Sequence, residues 1–189
     1  IRGATEQWLG ALENGMYDSI KRHLKTGIQD YSQRSYNDWI IKHAGQIVVL
    51  IDQINFNKNI LMCFKLDNSN ESLRNYQLNL VNSINIVSNT FSKDLSNHTI
   101  LALEALITIN VHSRDILSGL INNNVNHKDD FEWRRHLRYE WEEHSMNCTV
   151  MQSDASFNYG YEYLGCSPRL VITPLTDRYF ILFKSTYYL

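Results

Sequence analysis

The stretch TILALEALITINVHSRDILSGLI, Thr99 to Ile121, is the most apolar in the chain and sets its architecture. It opens on Thr99, a capping-type residue with Glu104 following, and closes on Asn122-Asn123-Asn124, a run unfriendly to helix. It predicts a central core helix. Towards the N-terminus, Leu73, Tyr76, Leu80, Ile84 and Val87 repeat at helical steps after a polar break at Asp67 to Asn70, which predicts a long amphipathic helix. Gln46 to Ile54 is apolar almost all round and fits a helix buried between others, although a buried strand fits the same letters; the helical context favours helix. Gly45 opens that segment, and Tyr36 to His43 reads as a short helical element with Trp39 and Ile40 as its apolar contacts. From Thr5 to Leu24, Trp8, Leu9, Leu12, Met16, Ile20 and Leu24 share one helical face, with Thr5 as cap and Gly27 as stop.

Towards the C-terminus, Asp129 and Asp130 sit where acids favour a helix start, and Trp133, Leu137 and Trp141 form a four-residue stripe read as core along a helix from Phe131 to His144. At Met146 the period changes. Cys148 to Met151 and Ser156 to Tyr159, divided by Ser153-Asp154-Ala155, alternate like a short hairpin. Gly160 and Gly165 bracket Tyr161 to Leu164, Pro168 and Pro174 enclose the run Leu170-Val171-Ile172, and Thr176-Asp177 caps a final helix towards Leu189. These are the only prolines in the chain, so unbroken helices precede them and the architecture changes there.

The 189 residues fit one domain, with two small ones as the alternative. As one compact body they would expose roughly 9,400 Å² and bury about 70% of the unfolded surface. With 43% hydrophobic and 20% charged residues and a net charge of −2, the composition is that of an ordinary soluble protein, and no basic excess points to nucleic acid. The longest aliphatic run, Ile47 to Ile51, is far too short for a membrane span, and Ile1-Arg2-Gly3 starts no signal peptide, so the expectation is an intracellular protein. Cys63, Cys148 and Cys166 have no metal or disulfide spacing. Glycosylation-type triplets at Asn70, Asn97 and Asn147 are about as many as chance provides.

Glu132, His136, Glu140 and His144 would line one helical face, a spacing able to place imidazole and carboxylate on a divalent metal. Arg134, Arg135 and Arg138 lie alongside, and Arg138 with Glu142 is a further four-residue pair, so salt-bridge lacing is the favoured reading; a small metalloenzyme on His136 and His144 is the remote alternative. His112-Ser113-Arg114-Asp115 sits on the most apolar helix with no nucleophile motif near it and reads as a polar interruption or an interface contact. No GxSxG, HExxH or phosphate-binding glycine loop with its lysine occurs. By its own residues the chain is therefore expected not to be a complete enzyme.

The letters FNYGYEYLGCSPRLVITPLTDRY from Phe157 to Tyr179 closely resemble the stretch of dynein heavy chains that leads into the first AAA+ module of the motor ring. Asp130-Phe131-Glu132-Trp133 with Leu137-Arg138-Tyr139 and Trp141, and Ala105-Leu106-Ile107 with Val111 to Asp115, are similar to the C-terminal part of the dynein linker. Trp39 to Gln46 and Thr5 to Leu9 resemble earlier linker landmarks, and His43-Ala44-Gly45-Gln46 is nearer to axonemal chains than to cytoplasmic ones. The resemblance implies a mainly α fold: an elongated helical bundle, the linker arm, over residues 1–145, then a short β-hairpin and the incomplete N-terminal segment of an AAA+ α/β module over 146–189. It implies a part in a minus-end-directed microtubule motor, in which the linker swings on nucleotide turnover. Leu170, Val171, Ile172 and Thr173 would give adenine-side contacts, with a core strand as the rival reading of that run. ATP or ADP with Mg belongs to the complete motor, and none is expected on the isolated chain, which stops before the Walker A loop and lacks Walker B and sensor residues. The implied partners are the rest of the heavy-chain ring, microtubules through other regions, and dynein intermediate and light chains, without nucleic acid or membrane. The implied location is the cytoplasm and cytoskeleton, in the axoneme of a cilium or flagellum. Cys166, Ala44 and Arg134-Arg135-His136 depart from common family residues and mark a divergent member. The alternative is a stand-alone truncated helical interaction module without motor activity.

Overall fold

The computed structural model describes residues 4–91 and 95–166, and beyond them Val171, Thr173, Leu175, Thr176, Arg178 and Tyr179. Five helices carry the fold: α1 (Thr5–Tyr31), α2 (Tyr36–Lys42), α3 (Gly45–Cys63), α4 (Ser69–Thr90) and α5 (Asn97–Asn122). A single helical turn, α6 (Phe131–Arg134), leads into a three-stranded antiparallel sheet ordered β1 (Arg138–Glu142), β2 (Asn147–Gln152), β3 (Ala155–Asn158). The fold is thus the expected mainly α bundle followed by a small β element.

The all-round apolar character of α3 has a direct cause: α1, α4, α5 and β1 all pack on it. Its N-terminal half belongs to a cluster with Leu24 of α1, Trp39 of α2 and Leu103 and Leu106 of α5. Its C-terminal half joins a second cluster with Leu73 of α4, Leu117 of α5 and Trp133 of α6. Two larger cores, with a small third cluster of Val49, Ala105 and Ile109, are strung along this one helix. The N-terminal half of α1 carries Leu9, Leu12 and Met16 on its surface, about half exposed.

The hairpin lies where the alternation places it, with Val150 opposite Phe157 and Gln152 opposite Ala155. Ser153 turns the chain in the left-handed region at φ 51. Several expectations are corrected. There is no helix from Phe131 to His144. Helix α6 ends at Arg134, where the Ser153 amide bonds the Arg134 carbonyl and Gln152 Nε2 bonds that of Arg135 at 2.9 Å, so the sheet takes over the carbonyls the helix would need. The letters RYEWE then alternate as a strand, and Asn57 Nδ2 of α3 donates to the Tyr139 carbonyl at 3.0 Å. Trp133 is core, but Leu137 is 43% exposed. Glu132, His136, Glu140 and His144 consequently share no helical face. Arg138 and Glu142 stand about 13 Å apart along a strand and do not pair through helical spacing. Arg135 does pair with Glu132 at 3.3 Å, and Arg134 pairs with Asp154 across the turn.

Caps and stops differ too. Ala4 precedes α1 with no side-chain cap, so Thr5 does not cap it. Gly27 does not end α1 but lies inside it, buried against Ile47 and Ile51. Helix α5 is capped by Ser96, whose Oγ accepts from the Thr99 amide at 3.3 Å. Leu170, Ile172, both prolines and the final helix beyond Tyr179 fall outside the described residues. No helix among the described residues is long and apolar enough to cross a membrane.

Candidate functional site

Where α3 begins, the chain that leaves the sheet is fastened to the bundle. Gln46, the second residue of α3, is only 4% exposed, and its carboxamide is fully engaged. Nε2 donates to Tyr159 Oη at 3.0 Å and to the Glu162 carbonyl at 2.7 Å. Oε1 accepts from the Leu164 and Gly165 amides at 2.8 and 3.1 Å. One side chain thus fixes four positions of an irregular segment, which has no sheet or helix ladder of its own to satisfy its backbone. Next to it, Gly45 permits close passage: a Cβ there would overlap Cys166 Sγ and lie 2.8 Å from the Ala102 Cβ.

Tyr161 makes the second fastening. It is 1% exposed and has a left-handed backbone, φ 50. Its hydroxyl accepts from the Cys148 amide at 2.8 Å and donates to Asn147 Oδ1 at 2.9 Å. Burial pushes the phenol up to about 12, so it stays a neutral donor. Its ring meets Tyr17 edge-on at 4.9 Å and Tyr159 at 5.2 Å, with Lys21 Nζ 5.6 Å from the ring centre. The segment from 159 to 166 is therefore tied to α1, α3 and β2 together. Cys148 beneath it is fully buried, its thiol pushed up to about 12 by desolvation.

Further along, Val171 is 65% exposed and Thr173 is part of a reciprocal cap. The Thr173 amide donates to Thr176 Oγ1 at 2.7 Å and the Thr176 amide to Thr173 Oγ1 at 3.3 Å, which opens the helical turn at Leu175 and Thr176. As a nucleotide wall these residues fit in one respect: Val171 offers an apolar surface, while the Thr173 N–H is already taken. Nothing in them forms a phosphate cradle. A cleft of about 380 Å³ separates this turn from α5 and α6 and gathers His112, Asp115, Glu132, His136, Thr173 and Arg178. The His112 and His136 rings are 6.4 Å apart. So two polar groups that look unrelated in the sequence, His112 to Asp115 and Glu132 with His136, meet at the same cleft as Thr173. Among the described residues no three His, Cys, Asp or Glu side chains gather to hold a metal.

Sequence reasoning did not single out Gln46 or Tyr161 for a role. The available signals were a glutamine heading a solidly apolar helix and a tyrosine directly after Gly160.

Residues 159–189 match a family described as the hydrolytic ATP binding site of the dynein motor region. The match begins at Tyr159, the residue that Gln46 holds. The chain is 37% identical over 183 residues to dynein axonemal heavy chain 6 of Homo sapiens, covering 95% of this chain and 4% of that one. It is 36% identical over 188 residues to dynein axonemal heavy chain 12 of Rattus norvegicus, covering 100% of this chain and 6% of that one. Against dynein axonemal heavy chain 2 of Mus musculus it is 30% identical over 192 residues, again 100% of this chain and 4% of the relative. The chain thus spans about a twentieth of the length of the curated relatives it matches.

Proposed function

We propose, on the premise that this chain belongs to the dynein heavy-chain family, that it is the joint through which the motor's linker meets its first ATP-binding module. Residues 1–145 act as the end of the linker arm, and residues 146–189 as the start of the module and the adenine-side lip of its site. The observation that carries this reading is the Gln46 clamp: the segment matching the ATP-binding family is bound, at its first residues, to the N-terminus of the bundle's central helix. A displacement of that segment is then passed to α3 through short hydrogen bonds, and to α1 through Tyr161 and Tyr17. The two cores along α3 keep the arm stiff. The exposed Leu9, Leu12 and Met16 support an arm that lies against further protein rather than a stand-alone module, which would leave them in water. By the family resemblance, Leu170, Val171, Ile172 and Thr173 would give apolar and backbone contacts on the adenine side. The bound nucleotide with Mg supplies the driving energy in the whole motor, whose ring, microtubule track and intermediate and light chains are the partners, in the axoneme of a cilium.

The test is Gln46→Leu in a heavy chain carrying this stretch. Microtubule gliding velocity is expected to fall several-fold while ATP turnover changes less than twofold; unchanged gliding with the variant folded would sink the coupling role. The 189-residue chain alone is expected to show no ATP turnover, and turnover by it would contradict an incomplete site.

A further inference from the structure

A second cavity, of about 230 Å³, opens on the opposite stretch of the bundle, between the end of α1, the start of α2, and α3, α4 and α5. Four aromatic rings line it: Tyr31, Tyr36, Phe56 and Tyr76. Tyr31 and Tyr36 meet edge to face with centres 6.3 Å apart, and Phe56 and Tyr76 are 6.1 Å apart. Asp52 stands among them, and Tyr36 Oη donates to its Oδ1 at 3.1 Å. No Lys, Arg or His is among the described residues that line this cavity. One amide nitrogen on its wall, Asn55 Nδ2, is buried with no partner in the protein, while the side chain of the buried Asn110 hydrogen-bonds Tyr36.

Each feature constrains the content of the cavity. A carboxyl set among aromatic rings without a cation either keeps its proton or takes a positive charge beside it, so an ionised Asp52 favours a cationic guest. Aromatic faces attract a cation and pack against a hydrocarbon stem. The buried Asn55 N–H wants a hydrogen-bond acceptor, which a hydrating water supplies. A bare hydrophobic guest fails the first and third demands, and an anion fails the first.

We propose that this cavity binds an alkylammonium, whose charge pairs with Asp52, whose stem lies against the four rings, and whose accompanying water accepts from Asn55. The chemistry is that of a lysine side chain offered by a partner or of a small free amine. Asp52 faces Tyr36 from α2, Tyr31 from α1 and Tyr76 from α4, with Asn110 the polar neighbour on α5. Burial raises the carboxyl of Asp52 to about 7, so binding strengthens as it ionises.

The experiment titrates n-butylammonium chloride into the 189-residue chain at pH 8 and follows tyrosine fluorescence and the melting temperature. A saturable response is expected, about tenfold weaker or more at pH 5.5, where Asp52 is protonated. Asp52→Asn is expected to weaken it by about tenfold or more while still melting cooperatively, since the amide is isosteric. Phe56→Leu keeps the charge and is expected to weaken it several-fold. Absence of a saturable response in the wild type, an equal response to neutral N-butylacetamide, or full competition by potassium at matched ionic strength would overturn the proposal. A capped lysine peptide that binds as well as the free amine assigns the site to a partner's side chain. Failure of the peptide beside success of the amine assigns it to a small molecule.

Discussion

At Gly27 a missing side chain does structural work inside a helix. A Cβ there would lie 2.6 Å from Ile51 Cδ1 and 3.0 Å from Ile47 Cγ2, both in the core, and the Gly27 carbonyl accepts the Trp39 indole N–H at 3.0 Å. Gly10 and Gly15 of the same helix have nothing within 4 Å of that position. Alanine normally gains about 0.5–1 kcal/mol over glycine in a helix, whereas overpacking a core costs about 1–3 kcal/mol. Gly10→Ala and Gly15→Ala are therefore expected to raise the melting temperature slightly, and Gly27→Ala to lower it; urea melts of the three variants decide the point. The residue type is the same at all three positions, and only the neighbour across the helix interface separates them. Gln46 gives the same lesson with polar atoms: its value lies in four partners more than a hundred residues away, which no local pattern announces.

Among the elements, β1 shows most clearly how packing overrides spacing. Phe131 to His144 offers the apolar residues Trp133, Leu137 and Trp141 at four-residue steps, acids at the start and arginines in the middle, all favourable to a helix. Within it, however, Tyr139 and Trp141 alternate with Glu140 and Glu142, which suits a sheet with one face on the bundle. The tie is broken by β2, which pairs along the whole strand from Arg138–Met151 to Glu142–Asn147, and by the buried Asn57 of α3. Asn57→Leu leaves the Tyr139 carbonyl without that donor and is expected to cost about 1–3 kcal/mol. Hydrogen exchange should show faster opening of β1 in this variant, while the amides of α4 keep their protection; equal protection of β1 would mean that the β2 ladder suffices.

For the whole molecule, pH reports the balance between two aspartates. Lys42 lowers the pKa of Asp30 by hydrogen bonding, with His43 and Arg34 adding to it, so that contribution to stability is present above the ordinary value of 3.8 and lost as pH falls through the lower native one. Asp52 works the other way. Its native pKa near 7 lies above 3.8, so the folded chain keeps a proton that the unfolded chain releases. Stability from this group is fully present below about 4, declines by at most about 1.4 kcal/mol per pH unit, and levels off above 7. Wild type minus Asp52→Asn in melting temperature, taken from pH 5 to pH 8, is expected to fall with pH and then flatten; a flat difference throughout would show that the carboxyl titrates normally. The sequence by itself determined the helical class, the hairpin after Met146 and the family resemblance, because these rest on local periodicity, turn chemistry and the order of motifs along the chain. Tertiary structure alone decided β1, the continuation of α1 past Gly27, the clamp at Gln46 and the aromatic cavity around Asp52. Each of these depends on which distant atoms come within hydrogen-bonding or van der Waals reach, and that is settled only when the helices pack.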